Sequence, residues 1–598
     1  MNKSVKSKLN QCNLSNGDYF SEEKEASEFL LPPVERGKVS LFFILIILGS
    51  LLFLGRIFYL EVIKGDYYRK MAEGNQLRIE KIKASRGLIY DVNGRLLVRN
   101  VPEFSLINMP GEKTIEKRIP YELALKTIVR SSEKVSAIGG STSGGKVKIE
   151  PQRKYLNGST FSHLLGFVGK ISKEEFKEGQ NYDFNDSLGK DGLEFYYENV
   201  LRGEDGRKKI EVNSLGQEEK ILNEEASKDG KDIILSIDAE LQKKVKEILE
   251  KYIGPKGAGV VIMMNPLNGQ ILSMVSLPTY DNNLLKDEEV WQQLNKNPQA
   301  PLFNRAIAGL YPSGSIIKPV IALAALEEGL INERTTVLST GGIRYGKWFF
   351  PDWKKGGHGR VNVIDALSWS VNTFFYYLGG GYGDFKGLGL EKIDRYLSLV
   401  GLGEKTGIDL PFEKQGFLPT EDWKKKTKGE EWYIGDTYHL SIGQGDLLVT
   451  PLQVTNYMSM IANGGTIFKP SIVKQVTPQI IREIKKAEPR SAPTHVGATT
   501  EENIEIVKKG LRKAVVSGSA RGLSSLKVKA AGKTGTAQVG GNLKPHAWFS
   551  GFAPFDNPEV VITVLIENSG EGSDKAVKVA REILNYYFKH NYDANLRI

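Results

Sequence analysis

The sequence has few of the residues that cross-link chains or bind metals. Among its 598 residues the only cysteine is Cys12, which excludes an intrachain disulfide and a metal site built from several thiolates. The six histidines are scattered, and no two of them have the spacing of zinc ligands. Asp352 and His358 could contribute to a metal site, but we favour a structural loop there and expect no bound metal.

Signals for nucleic acid are also missing. The chain has no basic run, zinc pattern or aromatic RNA-binding motif, so nucleic acid is not an expected partner. A phosphate-binding loop is excluded, because Lys527 stands where that loop needs a glycine, five positions before Gly532. The net charge of +10 instead suits an anionic surface such as a membrane or a cell-wall polymer.

One long apolar run stands near the start of the chain. Residues 39–60 are almost wholly apolar, and a helix of that length spans a hydrocarbon core of about 30 Å. A cleaved signal peptide is the alternative, but the run begins late, is long and is not followed by a small-residue cleavage site. The sequence therefore predicts a single-pass membrane helix.

Three short motifs lie far apart in the chain, and each occurs often by chance. Alone, Ser315 could cap a helix, Lys318 could be a solvated lysine, and Ser370 and Asn372 could be satisfied core polar groups. Their order, with spacings of about 55 and about 160 residues, matches the active-site set of serine enzymes that use a lysine base. The motifs are Ser315-x-x-Lys318, Ser370-x-Asn372 and Lys533-Thr534-Gly535-Thr536.

The residues around the first motif favour a catalytic role. Pro319 is tolerated only in the first turn of a helix, so Ser315 should lie at or just before a helix N-terminus, where backbone N–H groups stabilise negative charge. Residues 320–326 are apolar all round, which predicts a buried helix. Lys318 should project from the first turn towards Ser315. Enclosure and the nearby Lys533 should lower the pKa of Lys318 enough for it to accept the serine proton.

The other two motifs are predicted on different elements. Ser370 and Asn372 fall within residues 365–378, which predict one mostly apolar helix. Residues 528–538 predict a strand, and the small residues around Gly535 would let a ligand or another backbone approach closely.

Beyond the membrane helix the chain divides into two parts. Residues 61–230 are rich in strand and turn signals, and Asn93-Gly94 between apolar runs predicts a hairpin. Residues 231–598 begin and end with strand patterns and carry helices between them, which predicts one antiparallel sheet covered by helices. The expected class is α+β, with a β-rich pedestal in residues 61–230 and a catalytic domain in residues 231–598.

Over nearly its full length the chain resembles the class B penicillin-binding proteins, which are monofunctional cell-wall transpeptidases related in fold to serine β-lactamases. The segments Asp352-Trp353 and Gly357-His358-Gly359 favour the elongation type, penicillin-binding protein 2, over the division-specific type. The family more often has proline where Ser313 stands. Other matching segments are residues 86–91, 163–169, 192–194 with 201–203, 304–306, 441–445 and 450–453.

The resemblance implies a role for each motif. Ser315 would attack the penultimate D-alanine carbonyl of a peptidoglycan stem peptide, with Lys318 as the base. Ser370 would relay a proton to the leaving amine, and Asn372 would orient the substrate amide. The acyl-enzyme would then be taken by an amine of a neighbouring stem, and no cofactor would be needed.

The resemblance also implies how the third motif binds substrate. Lys533, Thr534 and Thr536 would hold the substrate carboxylate, with Gly535 between them. The backbone N–H groups of Ser315 and Thr536 would form the oxyanion hole.

The expected location and partners follow from the same resemblance. Residues 1–38 would be a cytoplasmic tail, and the catalytic domain would lie outside the inner membrane. The expected partners are peptidoglycan stem peptides, β-lactams, elongation-complex proteins and a SEDS-family glycosyltransferase, because the sequence has no glycosyltransferase region before the pedestal.

Four other functions fit parts of this pattern. A β-lactamase would lack the membrane anchor and pedestal and would need a deacylating base, which the sequence does not identify. A D,D-carboxypeptidase fits the chemistry alone. A non-catalytic β-lactam sensor or scaffold is disfavoured by the intact motifs, and a division-specific transpeptidase is the nearest rival.

Overall fold

A computed structural model describes residues 36–69, 77–108, 115–125, 146–176, 182–183, 186–213, 218–477, 494–495 and 499–595. Most of the predicted cytoplasmic tail, residues 1–38, lies outside this part of the chain. The described residues up to Glu80 form one compact unit with Lys209–Asn223. Lys81–Lys208 and the described residues from Glu224 onward form the second. The pedestal boundary at residue 230 stays a prediction.

The strands are numbered in chain order. They are β1 Leu77–Ile82, β2 Ile89–Tyr90, β3 Leu96–Asn108, β4 Ile115–Arg118, β5 Lys146–Tyr155, β6 Val168–Lys170, β7 Ser187–Gly189, β8 Gly206–Val212, β9 Glu218–Glu225, β10 Asp232–Leu235, β11 Gly259–Met264, β12 Ile271–Leu277, β13 Tyr311–Pro312, β14 Val337–Ser339, β15 Gly342–Tyr345, β16 Trp348–Pro351, β17 Gly359–Val361, β18 Leu448–Val449, β19 Thr466–Ile467, β20 Val473–Thr477, β21 Thr494–His495, β22 Ala531–Ala537, β23 His546–Ala553 and β24 Val560–Ile566.

The helices used below are numbered in the same way. They are α1 Arg36–Phe58, α2 Ser162–Leu165, α3 Gly192–Tyr196, α4 Glu198–Leu201, α5 Ala239–Ile253, α6 Glu288–Lys296, α7 Lys318–Glu327, α8 Val363–Trp369, α9 Asn372–Gly380, α10 Gly389–Leu399, α11 Glu421–Lys428, α12 Ile434–Ser441, α13 Pro451–Asn463, α14 Glu501–Ser517 and α15 Lys575–Asn595.

The first unit contains the apolar helix and most of a three-stranded sheet of order β1-β8-β9. Helix α1 continues into a π-helical turn, Tyr59–Ile63. Val39–Ile63 is the one helix in the described residues that is long and apolar enough to cross a membrane, with a mean hydropathy of 2.5 and none of it buried. The predicted apolar helix over residues 39–60 is therefore confirmed.

In the second unit, strands from before and after residue 230 share one sheet of order β20-β10-β2-β3-β4, with β5 also paired to β3. Strand β10 pairs parallel with β2 and antiparallel with β20. The predicted hairpin is confirmed: β2 and β3 are antiparallel, and Gly94 between them has a φ of 78°. The part of the pedestal in this unit is thus joined to the rest by backbone hydrogen bonds.

The predicted antiparallel sheet covered by helices is also confirmed, with order β12-β11-β24-β23-β22. On β11, Val260 and Ile262 enter one hydrophobic core, whereas Val261 and Met263 enter another. Helix α13 contributes to the first core, and α5 and α15 contribute to the second. Both faces of the sheet are buried, which explains why its central strands β11 and β24 are almost wholly apolar rather than alternating.

Helix α7 agrees with its prediction. Residues 318–326 are all buried, Pro319 lies in the first turn, and Ser315 lies in the 3₁₀ turn Gly314–Ile317 directly before the helix.

The prediction of one helix over residues 365–378 is wrong. Helix α8 ends at Trp369 and α9 begins at Asn372, because Ser370 adopts the left-handed conformation with a φ of 59°. Asp352 accepts hydrogen bonds from the backbone N–H groups of Asn372 and Thr373. Its carboxylate therefore caps the N-terminus of the second helix. Apolar periodicity alone could not show this break, since Asp352 comes from a distant loop.

Candidate active site

Ser315 lies on a turn that is enclosed by two other segments. Gly314 has a φ of 54°, and a Cβ atom there would come within 2.7 Å of the carbonyl oxygen of Thr536. The Gly314 N–H donates to the carbonyl of Gly443 at 2.8 Å. Ser315 itself is half-buried, and its hydroxyl makes no hydrogen bond within the described part of the chain. The turn is thus held between two segments, and the Ser315 hydroxyl has no hydrogen-bond partner among the described residues.

Segment 441–445 supports this turn, a role that the sequence did not reveal. A Cβ atom on Gly443 would come within 2.1 Å of the Gly314 carbonyl oxygen, so only glycine fits there. Gln444 Nε2 donates to the carbonyl of Thr536 at 3.4 Å. From the helix after it, the Tyr457 hydroxyl donates to the carbonyl of Ile316 at 2.7 Å.

Lys318 is fully buried without a carboxylate partner among the described residues. Its Nζ donates to Asn372 Oδ1 at 2.6 Å, to the Ser370 carbonyl at 2.9 Å and to Ser370 Oγ at 3.2 Å. Burial lowers the pKa of Lys318 to about 7, although the negative charge of Asp352 opposes this shift. Close to neutral pH, Lys318 can therefore accept a proton.

Lys533 on β22 is the second fully buried lysine. Its Nζ donates to Ser370 Oγ at 2.9 Å and to the Thr534 carbonyl at 2.8 Å. Burial lowers the pKa of Lys533 well below the usual lysine value, and repulsion from Lys318 adds to this effect. The Ser370 hydroxyl thus lies between two lysines and can pass protons between them and a bound group.

Asp352 holds the Ser370–Asn372 segment in place. Its Oδ1 accepts from the backbone N–H groups of Trp353 at 2.9 Å and Asn372 at 3.2 Å. Its Oδ2 accepts from the N–H of Thr373 at 3.0 Å, from the Thr373 hydroxyl at 2.7 Å and from the Ser339 hydroxyl at 3.2 Å. Both carboxylate oxygens therefore serve the start of α9.

The structure gives the neighbouring His358 a packing role. Its ring stacks on Trp369 with centroids 5.9 Å apart and contacts Trp353 at 5.2 Å. Among the described residues no three His, Cys, Asp or Glu side chains are grouped so that they could hold a metal ion.

Residues 533–536 lie on β22, at the edge of the five-stranded sheet and directly beside the Ser315 turn. A Cβ atom on Gly535 would lie 3.2 Å from the Ile316 nitrogen and 3.3 Å from the Ser313 oxygen, so a side chain there would push the strand and the turn apart by a few tenths of an ångström. The Thr536 hydroxyl accepts from the N–H of Gly572 at 3.4 Å.

The hydrogen-bond partner of the Thr534 side chain could not be predicted from the sequence. The Thr534 hydroxyl donates to Ser519 Oγ at 2.7 Å, which places a further hydroxyl next to the third motif. Ser519 follows helix α14 and is held by its N–H, which donates to the carbonyl of Ser368 at 3.0 Å. A serine after a helix is common, so nothing in the sequence marked it.

The structure thus brings Lys318, Ser370, Asn372 and Lys533 into direct hydrogen-bond contact and places the Ser315 turn against β22. A serine at a helix start, a buried lysine of lowered pKa and a bridging hydroxyl are the parts of a serine acyl-enzyme that works without histidine.

Two segments of the chain match known protein-family domains. Residues 259–585 match the penicillin-binding protein transpeptidase domain, and residues 123–235 match the penicillin-binding protein dimerisation domain. The chain belongs to the penicillin-binding protein transpeptidase family.

Similar proteins cover nearly the whole chain. Peptidoglycan D,D-transpeptidase MrdA of Haemophilus influenzae is 31% identical over 90% of this chain and 90% of that protein. The structure of PBP2 in complex with MreC from Helicobacter pylori has a TM-score of 0.76 and 29% identity, covering 86% of this chain and 100% of that one. A peptidoglycan synthase complex that coordinates polymerization and crosslinking contains a chain with a TM-score of 0.69 and 28% identity, covering 92% of this chain and 98% of that one.

Proposed function

We propose that this protein is a peptidoglycan D,D-transpeptidase that cross-links stem peptides through a Ser315 acyl-enzyme during cell-wall elongation. The observation that carries the proposal is the buried Lys318. It follows Ser315 by one turn, has a pKa lowered to about 7 and binds both Ser370 and Asn372. The similarity to MrdA proteins and PBP2 structures supports both the reaction and the elongation role.

The reaction has two halves. Ser315 Oγ attacks the penultimate D-alanine carbonyl while Lys318 takes its proton, and the peptide bond breaks as Ser370 passes a proton to the departing D-alanine amine. Asn372 orients the substrate amide. The resulting ester is then attacked by an amine of a neighbouring stem, which forms the cross-link and returns the proton to Ser315.

The third motif binds the substrate end. A terminal carboxylate beside Lys533 would restore its protonated form, because the opposite charge offsets the burial that lowers its pKa. Thr534 and Thr536 add hydroxyls, and Gly535 keeps the strand close to the turn. The backbone N–H groups of Ser315 and Thr536 bind the oxyanion.

The anchor and the partners complete the proposal. Residues 39–60 cross the inner membrane once, residues 1–38 face the cytoplasm, and the pedestal (61–230) and transpeptidase domain (231–598) lie outside, where peptidoglycan is assembled. The pedestal couples the enzyme to a SEDS-family glycosyltransferase and to elongation-complex proteins. A similar PBP2 chain forms a complex with MreC, and another similar chain is part of a peptidoglycan synthase complex; both support such assembly.

The test is covalent labelling of the detergent-solubilised full chain by a fluorescent penicillin, with the modified residue located by mass spectrometry. Ser315→Ala should abolish labelling, whereas Ser398→Ala, at an exposed serine on α10, should not change it. Undiminished labelling of Ser315→Ala would refute the assignment. Depletion in cells separates the two transpeptidase roles: round cells support elongation, and filaments would assign division.

A further inference from the structure

We propose that a surface beside the Ser370–Asn372 segment binds the peptidoglycan strand itself, through its sugar rings and its stem-peptide carboxylates. This surface, the aromatic-basic platform, consists of Lys347, Trp348, Phe349, Trp353, Lys354 and Lys355. The inference rests on the proposed function and adds to it a site for the part of the substrate that no penicillin mimics.

The platform begins on the hairpin of β15 and β16. Its inner pair, Ile343 and Phe350, is buried and anchors the hairpin to the core. Beyond that anchor, Trp348 and Phe349 are 64% and 52% exposed. Just after the hairpin, Trp353 is 63% exposed. Three large aromatic side chains left in solvent within six residues are unusual for a soluble surface, and such patches mark binding sites.

The exposed charged side chains of this segment are all positive. Residues 342–360 contain a single acidic residue, Asp352, which is buried and bonded to the start of α9. The exposed Lys347, Lys354 and Lys355 form no ion pair with any described carboxylate. A strand whose stem peptides carry carboxylates complements this charge.

The platform is attached to the catalytic residues. Trp353 Nε1 donates to the carbonyl of Trp369 at 2.9 Å, and Trp369 directly precedes Ser370. Asp352, between the hairpin and Trp353, accepts from the N–H of Asn372. A strand lying across the exposed aromatic rings would therefore have its stem peptides next to the second motif.

A peptidoglycan strand has groups that fit both the aromatic and the basic side chains of the platform. Pyranose rings present C–H faces that stack on indole and phenyl rings, and lysines pair with the carboxylates that project between the sugars. Binding energy from such remote groups helps to hold the reacting peptide in place. A penicillin resembles only the D-alanyl-D-alanine end, so it should not need the platform.

The experiment uses the full chain in detergent and purified uncross-linked peptidoglycan strands. Two double variants, W348A/F349A and K354Q/K355Q, should each weaken strand binding about tenfold or more in co-sedimentation. The control K243Q/K256Q removes two exposed lysines on and after α5, and Tyr121→Ala truncates an aromatic side chain that is 61% exposed. Both controls should bind strands as the unaltered protein does.

A second readout separates this inference from the proposed function. The platform variants should keep their rate of fluorescent penicillin labelling but form fewer cross-links when strands are the substrate. If fluorescent penicillin does not label the unaltered protein, the proposed function is wrong. If both platform variants bind strands as the unaltered protein does, the platform proposal is wrong.

Two further probes test the source of the binding. Strands with amidated carboxyl groups should bind the unaltered protein more weakly, and K354Q/K355Q should then cause no additional loss. If the variants instead lose binding to anionic phospholipid vesicles and keep their affinity for strands, the surface is a membrane contact and the proposal is wrong.

Discussion

Two regions of the second unit bury positive charge in opposite ways. Beside the sheet of order β20-β10-β2-β3-β4, Arg86 and Arg153 enclose the fully buried Glu194. In the candidate active site, Lys318 and Lys533 are equally buried, but their partners are the hydroxyl, amide and carbonyl oxygens of uncharged residues.

The positive charges of the two arginines are balanced by the carboxylates of Glu194 and Glu198. Glu194 Oε1 lies 2.7 Å from Arg153 Nε, and Oε2 lies 2.8 Å from Arg86 Nη2, which also contacts Glu198 at 2.8 Å. Burial alone would raise the pKa of Glu194, but the charges of Arg153 and Arg86 lower it. Glu194 therefore stays ionised, and the cluster joins separate segments of the chain.

The lysine pair lacks such compensation, and both pKa values fall. A buried cation that has carboxylate partners keeps its charge and holds segments of the fold together. A buried cation without them has a lowered pKa and can exchange protons near neutral pH. Changing one group in each region should therefore affect different properties.

The largest expected effect is on catalysis. Lys318→Met replaces the proposed base with an apolar side chain of similar length, so penicillin acylation should fall by about 10²–10⁴-fold while the melting temperature is kept. The second-order acylation rate measures this loss. Lys243→Met, on the exposed face of α5, is the control. A near-normal rate in Lys318→Met would mean that another group is the base.

The next effect is on stability. Glu194→Gln leaves two buried guanidinium groups without their shared charge, which should cost about 3–5 kcal/mol in free energy of unfolding. Penicillin labelling per folded molecule should not change. The control is Glu240→Gln, whose ion pair with Arg95 is about half exposed, with side-chain exposures of 53% and 51%, and should cost little. Equal denaturation midpoints for the two variants would contradict the structural role of the arginine cluster.

Lys533→Ala should give an intermediate effect. It removes a charged hydrogen-bond donor from the substrate carboxylate, worth about 1.5–3 kcal/mol, so labelling should be slowed about 10- to 100-fold and partly recover at high penicillin concentration. Lys529→Ala, at an exposed lysine paired with Asp556, serves as the control. Complete loss of labelling at every concentration would assign Lys533 a role in the chemistry itself.

The pH dependence follows from the lowered pKa of Lys318. Only the neutral amine accepts the serine proton, so the acylation rate should rise about tenfold per pH unit below about 7 and level off above it. Between about 7 and the ordinary lysine value of 10.5 the unfolded chain binds a proton that the folded chain does not, so this group makes stability rise with pH. A rate that is flat from pH 5 to 8 would contradict this assignment.

Asp352→Asn should have the smallest effect. Its charge opposes the lowering of the Lys318 pKa, so removing that charge should move the midpoint of the pH profile to lower pH. The plateau rate should fall modestly because the start of α9 loses charged acceptors. Asp365→Asn, which removes a carboxylate bound to Lys513 on the protein surface, should leave the midpoint in place.

Much of the site was predictable from short-range patterns. Pro319 and the apolar run after it placed Ser315 directly before a buried helix, and Asn93-Gly94 placed a hairpin. Such features depend on neighbours within a few residues, which the sequence shows directly. The predicted continuous helix over residues 365–378 failed because the break at Ser370 is stabilised by Lys318 and Asp352, and neither is local.

The sequence by itself determined where the three motifs and the apolar helix lie and that an antiparallel sheet has helices on its faces. Only the tertiary structure decided that Lys318 and Lys533 meet at one hydroxyl, that Gly443 supports the serine turn and that Ser519 joins Thr534. Periodicity and turn chemistry act over single elements, whereas burial and hydrogen bonding bring together residues of different elements, such as Ser370 and Lys533, which are 163 positions apart. The pKa values on which this chemistry depends arise from that burial.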